Sequence, residues 1–342
     1  MPQRRSECLA LLGLLSMILV GTVACAATPN GAMPYSERAD VRAFMDQMVD
    51  RHGLDEEALE ALFSGVKRQD GVLKAMARPA EGKPWYAYRK IFLTPRRVEG
   101  GVAFWRANAE TLDRAREHFG VSPEVVVAII GVETFYGRRM GGFPVLDTLA
   151  TLGFDYPARG NFFRGQLEHL LLLSREEGLD IGELKGSYAG AMGMGQFIPS
   201  SYRAYAVDFD QDGRRDLWHS SADAIGSVAN YFRRHGWETG GDVAAQTRVA
   251  GTGYSKVLGK GYKPSLAPDR LLARGIEVPE GLDGDTRLAL MEFDVGHDTE
   301  YWLGFKNFYV ITRYNHSPLY AMAVYQLSQE IKHAHAQRLA DN

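Results

Sequence analysis

A chain of 342 residues can bury a substantial core and can hold about two domains. Hydrophobic residues at 45% and charged residues at 24% are ordinary for a soluble globular protein. A formal net charge of −3 excludes a strongly basic nucleic-acid binder, and the 16 Tyr, 16 Phe and 5 Trp suit either a core or a sugar-binding groove.

Residues 1–26 read as an export signal. Arg4 and Arg5 supply a positive start, Leu9 to Val20 an apolar stretch, and Ala24-Cys-Ala26 a small-residue cleavage site. The apolar stretch is short for a transmembrane helix. Both cysteines, Cys8 and Cys25, fall in this segment, so the mature chain is expected to form no disulfide. Thr22-Val-Ala-Cys25 partly resembles a bacterial lipoprotein box, with Thr22 where an aliphatic residue usually stands. Two outcomes stay open: a lipid anchor on Cys25 at the outer membrane, or release into the periplasm after Ala26 or Ala27.

From Ser36 to Phe63 apolar residues fall at helical spacing (Val41, Phe44, Met45, Met48, then Leu54, Ala58, Leu59, Leu62), with a break near His52-Gly53. Residues 78–95 carry three prolines with Trp85, Tyr86 and Tyr88 and read as an extended wrap. A long helix from Gly101 to His118 completes a helical N-terminal domain over 30–118. Ser122-Pro123 marks a helix start, with the hydroxyl as N-cap. The run from Val125 to Val132 is so rich in Val and Ile that helix and buried strand both remain open. Asn161 to Ser174 and Ala222 to His235 read as helices, the second closed by Gly236. From about 243 to 310 glycine and proline rise, and short alternating stretches appear: Thr247-Arg-Val, Leu288 to Phe293, and Phe308 to Ile311. These define a small β-rich insertion, set at 243–306. The stretch 307–336 returns to helix after Ser317-Pro318.

Glu133 stands at the end of the longest apolar approach in the chain. Burial there would disfavour the charged carboxylate and raise its pKa, as a general acid near neutral pH requires; a glutamate turned out to solvent is the other reading. Lys185 to Ser201 is rich in glycine (Gly186, Gly190, Gly193, Gly195), which lets a backbone pass close to a ligand or to another element, with Ser187 and Gln196 as its polar groups. Asp208, Asp210 and Asp212, followed by Gly213, form the first half of an EF-hand-type calcium loop. The Arg214 carbonyl takes position seven. His219 stands where a closing Glu is usual, so Asp223 is the candidate closing carboxylate of a longer loop. No His/Glu/Asp cluster with open geometry suggests a catalytic metal.

Five segments together resemble the family-3 lytic transglycosylases, those of the membrane-bound lytic murein transglycosylase B type. They are Gly131 to Gly137, Lys185 to Tyr202, Val207 to Gly213, Asp223 to Phe232 and Tyr309 to Ser317, spread over about 36–330. The resemblance implies an α+β, mainly α fold: a lysozyme-like catalytic core over 119–242 carrying a structural Ca2+ loop, with the helical N-terminal domain and the small β domain. It implies that Glu133 is the catalytic carboxylate, that Ser187 contacts the substrate N-acetyl group, and that Gln196, Tyr231, Tyr314, Asn315 and Tyr320 line the groove. Calcium ligands would be Asp208, Asp210, Asp212, Arg214 (backbone) and Asp223. Asp210 stands where the family often has Ser, and the loop is one residue longer before Asp223.

The implied reaction cleaves the β-1,4 bond between N-acetylmuramic acid and N-acetylglucosamine and closes a 1,6-anhydro ring, with one Glu as acid and then base. Ordinary glycosidases need a second carboxylate about 5 to 9 Å away. Asp147, Asp155 and Glu168 are nearest in sequence, and none sits in a catalytic-looking motif. The rivals are a hydrolytic muramidase and a non-catalytic, calcium-dependent peptidoglycan-binding module. Expected partners are peptidoglycan strands and other cell-wall enzymes, with no nucleic acid and no membrane contact except an anchor on Cys25.

Overall fold

Helices dominate the computed structural model, which describes residues 33–77, 82–259 and 261–340. The export-signal segment 1–26, with Cys8 and Cys25, lies outside the described residues, as do 78–81 of the expected wrap.

Helix α1 (Ala39–His52) ends where Gly53 takes a left-handed conformation and returns its N–H to Val49. Asp55 then caps α2 (Glu56–Ser64) by accepting the Ala58 N–H at 2.8 Å. Helix α3 (Asp70–Met76) follows. The expected wrap instead contains a helix, α4 (Trp85–Phe92), because Pro84 precedes the first turn rather than interrupting it. The single helix expected over Gly101 to His118 is two, α5 (Pro95–Ala107) and α6 (Ala109–Phe119). Asn108 breaks them by turning its side-chain amide onto the Phe104 carbonyl at 2.8 Å.

The Val/Ile run is helix α7 (Pro123–Thr134), and every residue from Pro123 to Val132 is buried. It is apolar all round because α5, α6, a later helix and the C-terminal helix enclose it. Ser122 precedes it but makes no side-chain capping bond. Next come β1 (Phe143–Pro144), α8 (Val145–Asp155), α9 (Gly160–Glu177) and β2 (Lys185–Gly186), which pairs antiparallel with β1. Helices α10 (Pro199–Tyr205) and α11 (Ser221–Arg234) complete the central bundle, with Ser220 capping α11.

The β-rich part is a three-stranded antiparallel sheet, β3 (Ala244–Thr247), β4 (Ala289–Asp294) and β5 (Thr299–Gly304), in the order β3-β5-β4. It has its own core of Val257, Leu271, Ile276, Leu288, Leu290 and Leu303, beside the short helix α12 (Pro268–Leu272). Phe308 to Ile311 is not a strand but the middle of α13 (Lys306–Tyr314). A four-residue apolar run cannot declare its period, and here Phe308, Val310 and Ile311 all enter the core. Helix α14 (Pro318–Ala340) packs along α7 and α5. Trp85 of α4 packs on Phe293 of β4 at 5.4 Å, which ties the N-terminal helices to the sheet. No helix among the described residues is long and apolar enough to cross a membrane.

Candidate active site

The turn after α7 places Glu133. Phe135 and Tyr136 both have positive φ (54° and 60°), and their N–H groups return to the Gly131 and Ile130 carbonyls. Gly131 is required because the Tyr136 ring folds back over it; a Cβ there would stand 2.6 Å from the Tyr136 hydroxyl oxygen. That hydroxyl donates to the Arg97 carbonyl at 2.6 Å, and Arg97 Nε donates to the Gly131 carbonyl at 3.0 Å. Thr134 donates its hydroxyl to the Met194 carbonyl at 2.8 Å and accepts the Gly137 N–H at 3.0 Å. The end of α7 is thereby fastened to the glycine-rich segment.

Glu133 accepts one side-chain hydrogen bond, from the Tyr320 hydroxyl at 2.6 Å. Burial pushes its carboxyl up to about 7, and the Tyr320 bond lowers it in part. Both Tyr320 and Tyr314 are held well above the usual phenol range, first by burial and then by the Glu133 charge. Tyr314 donates to the Gly195 carbonyl and Tyr231 to the Arg313 carbonyl. Gln196, itself at φ 54°, donates its amide to the Met140 and Gly193 carbonyls at 3.1 and 3.0 Å. Ser187 sits in the hairpin between β2 and Met192, where its oxygen accepts the Ala191 N–H at 3.1 Å and its own proton meets no described partner. Asn315 follows Tyr314 directly, and its side-chain amide has no hydrogen-bond partner among the described residues. A cleft of about 340 Å³ brings Gln196, Tyr231 and Tyr314 together with Phe197, Arg159 and the exposed Phe162.

The glycines of the 185–201 segment mostly make room for the protein itself. A Cβ on Gly190 would meet Leu149 at 2.5 Å, and one on Gly193 would meet Leu217 at 2.6 Å. Of the two readings of that segment, close approach to other elements of the chain accounts for these positions.

No second carboxylate perturbs Glu133. Asp147 is held by Gln69 and Lys67, Asp155 by Tyr35 and Arg38, and Glu168 by His52. All three fasten the N-terminal helices to α8 and α9. Two groups escaped the reading of the sequence. Thr134 and Tyr88 of α4 were not among the expected site residues; Tyr88 lies near enough to Tyr320 to add to the forces that hold that phenol protonated.

Burial of Glu133 also has a measurable cost. Between about pH 4.5 and 7 the folded protein keeps a proton that the unfolded chain has lost, so stability falls as pH rises through that window, by about 3 kcal/mol in all. Glu133→Gln removes this dependence. Its melting temperature is expected to exceed wild type at pH 8 and to match it near pH 4; equal temperatures at both would refute the buried carboxyl.

In the acidic loop the carboxylates of Asp208, Asp210 and Asp212 lie within 4.8 Å of one another. Asp208 accepts the N–H groups of Asp212 and Gly213 at 3.1 and 2.9 Å, which curls the loop, and Gly213 at φ 91° makes the sharp turn. Arg214 donates its N–H to Asp212 at 2.9 Å. Three hard oxygen donors so close fit a divalent cation such as calcium. Asp223 stands outside the trio. It is fully buried, and its two oxygens take the N–H groups of Phe209 and Asp216, each at 2.7 Å, so it braces the loop from within.

The chain matches a family model described as the transglycosylase SLT domain over residues 36–329. It is 46% identical over 313 residues to the membrane-bound lytic murein transglycosylase B of Escherichia coli (strain K12), covering 89% of this chain and 85% of the relative. The soluble lytic transglycosylase SltB1 of Pseudomonas aeruginosa superposes with a TM-score of 0.83 at 48% identity, covering 87% of this chain and 99% of that one. The Escherichia coli lytic transglycosylase Slt35 in complex with calcium superposes with a TM-score of 0.80 at 46% identity, covering 89% and 94%. With a lysozyme-like helical core and a lone carboxyl at the end of its central helix, the chain belongs to the SLT-domain lytic transglycosylases, the enzymes that cleave murein.

Proposed function

We propose that Glu133 is the sole acid and base of the murein cleavage. Protonated Glu133 gives its proton to the glycosidic oxygen as the bond from the muramyl C1 breaks, and the bonding pair leaves with that oxygen. The substrate's acetamido oxygen, held by the free Ser187 proton, supports the electron-poor C1. The carboxylate of Glu133 then takes the proton of the muramyl C6 hydroxyl as that oxygen bonds to C1. No water is consumed, and Glu133 ends protonated as it began. Gln196, Tyr231, Tyr314 and Asn315 line the strand's path, and Tyr320 orients the carboxyl. What supports this reading is a half-buried glutamate whose carboxyl desolvation pushes up to about 7, with one tyrosine as its partner and no second carboxylate acting on it.

Digestion of purified peptidoglycan by the mature protein is expected to release muropeptides lighter by one water than those of a hydrolytic muramidase. Products of full mass would replace the C6 hydroxyl with water in the second step. Absence of cleavage would favour a binding module.

On the same reading the acidic loop holds a structural calcium through Asp208, Asp210, Asp212 and the Arg214 carbonyl, while Asp223, expected from the sequence to close the site, braces the loop from beneath through the Phe209 and Asp216 N–H groups. Chelation is expected to lower the melting temperature of wild type by several degrees and to leave an Asp208→Ala/Asp212→Ala variant unchanged; equal shifts would refute the site. The division into 30–118, 119–242, 243–306 and 307–336 belongs to this proposal. So does a periplasmic enzyme exported by a signal within its first 26 residues, either released after Ala26 or Ala27 or cut before Cys25 and held at the membrane by a lipid on that cysteine.

A further inference from the structure

We infer that Arg96, Arg138 and Arg139 form a carboxylate-binding patch that holds the peptide stem of the murein substrate beside Glu133. Four guanidinium groups converge on the Phe135 ring: Arg96 at 5.5 Å, Arg97 at 5.2 Å, Arg138 at 5.7 Å and Arg139 at 5.6 Å from its centroid. Arg97 is buried and spends its donors on the carbonyls of Gly131, Ile91 and Phe92, so its role is internal. The other three are exposed, and their side chains make no ion pair or hydrogen bond with the described residues. Like charges gathered on one ring repel one another, and the ring face offsets only part of that repulsion. An anion would complete the arrangement. In a chain with more acidic than basic residues, three unpaired arginines at one spot call for a reason.

Their position supplies it. Phe135 lies two residues beyond Glu133. Arg138 and Arg139 lead into Met140, whose carbonyl takes the Gln196 amide at 3.1 Å. Gly141 then runs so close to the Ser187 hairpin that a Cβ would stand 2.1 Å from the Gly186 carbonyl oxygen and 2.6 Å from the Ser187 nitrogen. The backbone carrying Arg138 and Arg139 is therefore pinned between the two groove residues proposed to meet the sugar, and Arg96 of α5 joins them across the Phe135 ring. Where a stem peptide is attached, the muramyl lactyl carboxyl is consumed in the amide that joins it, so the carboxylates of a substituted strand lie in its stems, several to each. Forked guanidiniums suit carboxylates by paired hydrogen bonds.

This inference rests on the murein-cleaving reading, and a binding assay separates the two. In a Glu133→Gln background, two soluble disaccharides, one bearing the stem peptide and one bare of it with its lactyl carboxyl capped as a simple amide, are titrated into the protein and into an Arg96→Gln/Arg138→Gln/Arg139→Gln variant. The peptide-bearing fragment is expected to bind about tenfold more weakly to the variant, while the bare disaccharide is unaffected. Amidating the stem carboxylates should reproduce that loss in the unmodified arginine background. An Arg138→Lys/Arg139→Lys variant should recover part of the affinity, because charge returns without the fork. Equal losses for both fragments, or no loss for either, would overturn the patch. So would failure of both proteins to prefer the peptide-bearing fragment. Because none of these readings requires cleavage, they stand apart from the muropeptide masses that judge the catalytic assignment.

Discussion

Replacing Glu133 by Gln is expected to lower murein cleavage by about 10³-fold while leaving the fold intact. The amide keeps the shape of the side chain and still accepts the Tyr320 hydrogen. It has no proton to give to the glycosidic oxygen and no charge with which to take one from the C6 hydroxyl, so both halves of the reaction fail together. On the proposed assignment the same carboxyl is expected to set the pH dependence. The first step needs its acid form, and burial holds that form up to about pH 7. Accordingly kcat/KM should be level through mildly acidic pH and should fall about tenfold per unit above about 7. Tyr320→Phe removes a donor that favours the carboxylate, so it should move this break to higher pH while slowing the reaction. The measurement is a pH–rate profile on soluble murein strands. A break near the ordinary carboxylate range would mean that another group supplies the proton.

Much of this site was legible in the chain because its parts are local. The apolar approach to Glu133, the acids ahead of Gly213 and the amphipathic spacing of α1 and α2 each declare themselves within a few residues. What was not legible depends on partners far away in sequence. The Val125 to Val132 run has no polar face, so only enclosure by α5, α6, α11 and α14 decides for helix. Strand β5 is the middle of its sheet yet has no clean alternation, since Thr299 to Trp302 are all half-buried. Asp223 had the sequence position of a closing metal ligand, but its burial under the loop turns both oxygens to backbone N–H groups. The glycine-rich segment revealed that something comes close, and it could not reveal that Leu149, Leu217 and residue 141 are what comes close. Tyr88 reaches the site only because α4 lies across both α14 and β4, a placement with no local signal.

That close approach can be tested where it is tightest. Gly141→Ala is expected to destabilise the protein by about 3 kcal/mol and to cut murein cleavage steeply. Gly141 sits at φ 92°, where an L side chain is strained, and its new methyl would stand 2.1 Å from the Gly186 carbonyl oxygen and 2.6 Å from the Ser187 nitrogen. Both obstacles are backbone, so no rotamer change relieves the contact; either the 138–141 segment or the Ser187 hairpin has to move. The hairpin is held on its far side, because Gly186 is itself packed against the Ala191 carbonyl and Ser187 donates its N–H to that same oxygen at 2.8 Å. Displacement would therefore pass to the Ser187 hydroxyl on one side and to the Met140 carbonyl that orients Gln196 on the other. The neighbouring Gly142 is the control, since a Cβ there meets nothing within 4 Å and Gly142→Ala should change neither melting temperature nor rate. If Gly141→Ala melts lower but cleaves normally at a temperature where it remains folded, the contact is structural only. If both fall together, as the geometry requires, the spacing between the Glu133 turn and the Ser187 hairpin is part of the catalytic arrangement.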